Sequence, residues 1–279
     1  ISKITLSEVN VNEAPVNTLP PSLTNVQEDI PYSITGLSVN DVDGNLSSVQ
    51  LSVGHGYLNV TLTGGASISA GSNGSSLLTL SGTQAQINAA LATLTYQGAK
   101  DFNGSDTLTV LSKDSAGIPL SDSDSVAITI APVNDAPEAT ASSASVSEEG
   151  LTGGIVDAKG TTDITDTAGV SGKISISDVD SSSFTVKLAA PTAELKSDGQ
   201  VVTWSLSADG HTLIGSAAGS EVIRVTIDNS GNYNVSLLKA IDHATAGVED
   251  VKSFGIGVSV SDGIATTAST LTVNIEDDS

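Results

Sequence analysis

Apolar and polar residues alternate at period two along much of the chain, as in Leu58-Val60-Leu62, Val126-Ile128-Ile130, Val202-Trp204-Leu206 and Ile256-Val258-Val260. Alternation sends one set of side chains to each face of an extended segment, so these stretches predict half-buried strands. Turn-forming clusters separate them: Thr63-Gly64-Gly65, Ala70-Gly71-Ser72-Asn73-Gly74, Ala208-Asp209-Gly210 and Asn229-Ser230-Gly231. That spacing predicts an all-β chain folded as β-sandwiches with hairpin and Greek-key connections. One segment departs from it. Thr83-Gln84-Ala85-Gln86 has the form of a capping box and is followed by Ile87, Leu91 and Leu94 at helical spacing, which predicts a short helix over residues 83–92.

Two stretches are near copies 122 residues apart, Val11-Asn12-Glu13-Ala14-Pro15 and Val133-Asn134-Asp135-Ala136-Pro137. Each follows an alternating segment and closes on a proline that cannot continue a strand ladder, which marks the passage from one domain to the next. The expected organisation is a tail of a preceding domain with its linker over 1–17, a sandwich over 18–133, a linker over 134–137, and a second, Ig-like sandwich over 138–279. Two domains also suit a chain of 279 residues.

Composition narrows the chemistry. With 38% apolar residues and a mean hydropathy of +0.13 the chain can bury two cores. Its 32 acidic and 10 basic residues give a formal charge of -22, which repels nucleic acid and anionic lipid and leaves divalent cations as the natural charged partners. No apolar run is long enough for membrane insertion and no basic-then-apolar leader opens the chain; Ile1, in place of a Met, reads as a cut within a longer polypeptide. There is no cysteine, so metal binding must use oxygen ligands or the three histidines. Aspartate outnumbers glutamate 22 to 10. Part of that excess reflects turn formation, and short carboxylates on tight loops also suit calcium cages.

An Asp-Val-Asp triplet recurs, Asp41-Val42-Asp43 and Asp178-Val179-Asp180. Strand parity in a seven-strand antiparallel sandwich puts the loop holding each triplet at the end where the linker arrives, together with Asp114 in the first domain and Asp262 in the second. The opposite end of the first domain receives Glu28 and Asp101. The central junction is therefore expected to gather Glu28, Asp101, Asn134, Asp135, Asp178, Asp180 and Asp262. Asn12, Glu13, Asp41, Asp43 and Asp114 form the incoming set, and Glu148, Glu149, Asp250, Glu276, Asp277 and Asp278 the outgoing one. Such clusters repel themselves until a cation such as Ca2+, which accepts 6 to 8 oxygens in irregular geometry, reverses the sign. A lone triplet reads as a solvated turn; its repetition beside acidic linkers favours calcium. The triplet is not an EF-hand start, because Leu46 and Ser52 stand where Gly and Glu are needed.

The run Thr83 to Leu91 continuing to Leu94-Thr95-Tyr96, the loop Asp101-Phe102-Asn103-Gly104-Ser105-Asp106, and Val133-Asn134-Asp135-Ala136-Pro137 resemble the bacterial cadherin-like repeats of giant adhesins. In the second domain Val202-Thr203-Trp204-Ser205, Gly231-Asn232-Tyr233 and Asp242-His243 resemble repeats of RTX adhesins exported by type I secretion. The resemblance implies tandem extracellular sandwiches on a bacterial surface, calcium at the linkers, and an extender role in a biofilm adhesin whose partners are the neighbouring domains of the same chain, in a monomer. Its ligands carry over most directly to the two triplets and to Asn134-Asp135; Glu13, where the second linker has Asp135, departs from the pattern. No catalytic motif accompanies His55, His211 or His243, which read as turn and loop residues, so no enzyme is expected. The alternative is a glycan- or peptide-binding surface on the second sandwich.

Overall fold

The structure, a computed structural model, describes residues 11–155, 165–244 and 250–278. The chain forms two compact units that divide between Val133 and Asn134. Each is a β-sandwich.

In the first unit one sheet runs in the spatial order Leu23–Gln27, Ser121–Ala131, Gly104–Asp114, Leu46–Ser52, Leu77–Ser81 and Ser67–Gly71. Facing it are Tyr32–Ser33, Thr95–Gly98 and Gly56–Asn59, with Val16–Thr18 paired to Ser38–Asn40. The two pieces of the first strand serve different sheets because Pro20 and Pro21 break the ladder between them. The second piece then lies parallel to the last strand, Ala131 opposite Gln27. The buried sides of the alternating strands supply the core, including Val26, Val49, Leu51, Leu58, Leu108, Val110 and Ile128.

The predicted helix spans Gln84–Leu91. Thr83 Oγ1 accepts from Gln86 N at 3.4 Å while Gln86 Oε1 accepts from Thr83 N at 2.8 Å, and Ile87, Ala90 and Leu91 are buried. Thr83→Ala removes one half of that reciprocal cap, so the first unit should lose about 1 kcal/mol in chemical denaturation, with Thr83→Ser restoring most of it. The alternation at Leu58-Val60-Leu62 overstates its strand, which ends at Asn59. Leu62 is exposed, and the chain turns through Gly64 and Gly65 at φ 85° and 96°, a left-handed backbone that glycine adopts without steric cost.

In the second unit Ser142–Ser147, Thr266–Glu276, Val251–Ser261 and Thr185–Ala189 form a four-stranded sheet. It faces a five-stranded one ordered Gly169–Lys173, Asn232–Leu237, Ser220–Ile227, Thr212–Ala217 and Thr203–Leu206. Its first core strand again runs parallel to its last, Ser147 opposite Glu276. Val146, Val186, Val225, Val235, Ile256, Val258, Leu271 and Val273 fill the interior. Trp204 is only partly buried, its ring 6.0 Å from that of Phe254, because Thr203–Leu206 is an edge strand and Leu206 faces solvent. Among the described residues no helix is long and apolar enough to cross a membrane.

Candidate metal centres

Register explains why three distant stretches meet at one end of the first unit. Val16 pairs with Asn40, which sets the linker Asn12–Pro15 beside the loop that begins at Asp41. Asp114 pairs with Leu46, which sets the end of the next long strand beside the same loop. The second unit repeats the construction with different residues: Glu138 pairs with Ser177, just before Asp178, and Thr185 pairs with Ser261, just before Asp262.

The hydrogen bonds repeat as well. Asp41 Oδ1 accepts from Asp43 N at 3.0 Å, and Asp178 Oδ1 accepts from Asp180 N at 2.8 Å, so each triplet is an Asx turn. Asp43 Oδ2 accepts from Glu13 N at 2.8 Å, as Asp180 Oδ2 does from Asp135 N at 2.8 Å. Asn12 Nδ2 donates to Asp114 Oδ2 at 2.7 Å, and Asn134 Nδ2 to Asp262 Oδ2 at 2.8 Å. Asn12, Glu13, Asp41, Asp43 and Asp114 thus come together in the first unit, and Asn134, Asp135, Asp178, Asp180 and Asp262 in the second. Glu28 and Asp101 belong to the first unit, at its opposite end.

These clusters carry more oxygen than their own donors satisfy. In the first, Asp41 and Asp114 are buried, and the carboxamides of Asn45 and Asn12 form a chain between them. One terminal atom of Asn45 lies 3.2 and 2.9 Å from the Asp41 oxygens and the other 2.8 Å from Asn12 Oδ1, while Asn12 Nδ2 faces Asp114. Each amide has one donor end. Two amides in line between two carboxylates therefore leave an oxygen against an oxygen whichever way they are turned. A cation seated between them would remove the conflict. In the second unit Asp178 Oδ2 is buried with no hydrogen-bond partner, and a lone buried carboxylate oxygen of this kind calls for an ion or water.

Charge tells the same story. Burial, then the neighbouring Asp43 carboxylate, raises the Glu13 pKa, with Asp41 adding to it. Asp114 is held below the usual range chiefly by its Asn12 hydrogen bond, and Asp262 chiefly by its bond from Asn134, with amides of Ile264 and Ala265 helping. A carboxyl whose pKa rises on folding disfavours the fold once it ionises, and that cost vanishes as pH falls below the ordinary glutamate range. Glu13→Gln should therefore raise the melting temperature of the first unit at pH 7 in EGTA. Equal melting temperatures for the variant and the parent in EGTA would remove Glu13 from the repelling set.

At the opposite end of the first unit Glu28, 1% exposed, accepts from Val133 N at 2.7 Å and Asn103 Nδ2 at 3.2 Å. Asp29 Oδ1 accepts from Asp101 N at 3.1 Å, and Lys100 Nζ pairs with Asp101 Oδ2 at 2.7 Å. Asp101 Oδ1 is buried without a partner. Asp29 and Asp101 both have left-handed backbones, φ 60° and 57°, which short side chains able to bond their own main chain tolerate best. Asp106, from the same acidic loop, turns inward. It accepts from Gly54 N, His55 N, Thr107 N and Tyr96 Oη at 2.7 to 2.9 Å and serves the fold.

Sequence reasoning missed two residues. Asn45 lies four positions after Asp41 and gives a signal only once Asn12 is placed beside it. His243 reads as a loop residue next to Asp242, yet Asp242 turns to Gly199 N while His243 Nδ1 bonds Asp250 Oδ1. Its side chain is 4% exposed and its Nε2 stands 3.2 Å from Glu148 Oε1. Burial would lower the pKa of this imidazole, but the carboxylates of Glu148, Asp250 and Asp277 outweigh it and raise it to about 9. His55 instead stacks on Phe102 at 4.3 Å, and His211 bonds Asn229 in a turn.

Residues 31–122 match the family model of the Protein GAMETE EXPRESSED 2 domain. That is a eukaryotic family, and the match overturns the resemblance to bacterial RTX adhesin repeats. The matched span contains the capped helix and the acidic loop 101–106 on which the resemblance rested. Neither feature singles out one lineage, since both lie inside the span that this other family also matches. No curated protein matches the chain. Among solved structures the chain is similar to protocadherin gammaB7 EC3-6, at 14% identity over 96% of this chain and 51% of that one, TM-score 0.42. It is also similar to mouse clustered PcdhgC3 EC1-3, at 14% identity over 94% and 68%, TM-score 0.34. An endo-fucoidan hydrolase of glycoside hydrolase family 107 aligns at 14% identity over 95% of this chain and 29% of that one, TM-score 0.30. The chain thus spans about half the length of the protocadherin fragment.

Proposed function

We propose that each sandwich binds Ca2+ at the end where its linker arrives, and that the chain is a non-catalytic, calcium-stiffened extender segment of an extracellular adhesion-type protein. The observation that carries this reading is the recurrence of an asparagine with three aspartates, Asn12, Asp41, Asp43 and Asp114 in one unit and Asn134, Asp178, Asp180 and Asp262 in the other, each cluster with an oxygen left without a donor. Asn12, Asp41, Asp43, Asn45 and Asp114 would hold the ion in the first unit, and Asn134, Asp135, Asp178, Asp180 and Asp262 in the second. Calcium supplies charge neutralisation and its irregular shell suits such loops. The protein's own residues do the rest. Each Asx turn aims a carboxylate, and the linker amides of Glu13 and Asp135 anchor the chain to the same carboxylates that would bind the ion. Loading the site therefore ties down the linker. Amide hydrogen exchange with and without calcium tests this: protection at Glu13 and Asp135 should rise on loading, and exchange unaffected by chelation would contradict it.

A further inference from the structure

We propose that Glu148, His243 and Asp277 form a binding site for a divalent transition ion of the zinc class in the second unit, chemically distinct from the all-oxygen clusters. One ligand atom from each of the three lies within 4.8 Å of the others. His243 faces a carboxylate through each ring nitrogen. Its side chain is 96% buried, and the contact of Nε2 with Glu148 Oε1, at 3.2 Å, is an ion pair without the alignment of a hydrogen bond. Two ligands at zinc distances and tetrahedral angle stand about 3.3 Å apart. The other ring nitrogen is held by Asp250 Oδ1, the arrangement that fixes a liganding imidazole and leaves Nε2 to face the metal. Glu148 is itself held in place, with Oε1 accepting from Ile241 N at 2.8 Å.

Strand register assembles the group. Ser147 opposite Glu276 puts Glu148 beside Asp277, and Val251 opposite Glu276 brings Asp250 to the same level. A depression of about 570 Å³ lined by Glu148, Gly153, Asp198, Lys239 and Asp278 reaches the Glu148 side of the group. The first unit has the matching Glu28 but bonds it to Asn103, so the nitrogen ligand belongs to the second unit alone. Imidazole with carboxylates suits zinc and its neighbours better than calcium.

The test titrates the full chain with Zn2+ and, separately, Co2+, in saturating calcium so that the all-oxygen clusters are already filled. The expected result is one equivalent bound, a higher melting temperature for the second unit, and cobalt d–d bands of a site with fewer than six ligands. His243→Gln should abolish those bands, Asp277→Asn should weaken binding at least tenfold, and His211→Gln should change neither. A cobalt spectrum that stays that of the hydrated ion would overturn the proposal. So would unaltered zinc affinity in Asp277→Asn, which keeps the side chain's shape at a half-buried position and is read even if His243→Gln fails to fold.

Discussion

Asp106→Ala should destabilise the first unit by about 3 to 5 kcal/mol, the largest loss expected from any single exchange described above. Asp106 is 6% exposed and accepts from three main-chain amides and the Tyr96 hydroxyl. Truncation leaves those donors, Tyr96 Oη among them, buried without a partner, and each such orphan costs about 1 to 3 kcal/mol. Burial pulls the Asp106 pKa up, but the amides of His55, Thr107 and Gly54 together with Tyr96 win and hold it below its ordinary value. A depressed carboxylate stabilises the fold above its unfolded pKa near 3.8, and that contribution disappears as pH falls through its lower folded value. Acid unfolding of the first unit should therefore lose this component below pH of about 4, and Asp106→Asn should flatten it. Calorimetry resolves the outcome, because the second unit has its own core and its transition should not move.

The second large effect concerns calcium. At a hundredfold excess over Kd a ligand that binds only the folded state stabilises it by about 2.7 kcal/mol, and each unit is expected to gain on this scale. Asp41→Asn should abolish the calcium-dependent gain of the first unit and leave that of the second. Asp178→Asn should do the reverse. Comparing each variant in calcium with the same variant in EGTA separates loss of the ion from loss of the turn. A gain that survives in both variants would place the ion elsewhere.

Much of this architecture was legible in the sequence because alternation at period two follows directly from a strand with one buried face. Ser121–Ala131 and Val251–Ser261 follow from Val126-Ile128-Ile130 and Ile256-Val258-Val260, and the helix from its capping box. Strand ends were less legible. Leu62 and Leu206 continue the alternation yet lie in solvent, since pairing stops where a neighbouring strand stops. Parity brought Asp41, Asp43 and Asp114 to one end because it depends only on strand count. It also left Asp106 among the loop acids, since direction of a side chain is fixed by the donors waiting for it, here Gly54, His55 and Tyr96. His243 was illegible for the same reason: its partners Glu148 and Asp250 are brought to it by the pairing of Ser147 and Val251 with Glu276. Lineage was the least legible feature, because the capped helix and the acidic loop 101–106 lie in a span that a second family also matches.

The oxygen-rich loops beside Asn12 and Asn134 should take up calcium, and isothermal titration of the chelator-stripped chain with Ca2+ is the sharpest check. Uptake by both units should be saturable, with the Asp41→Asn and Asp178→Asn variants each losing one share of it. Titration heats no larger than dilution, with a melting curve unmoved by millimolar calcium, would contradict it.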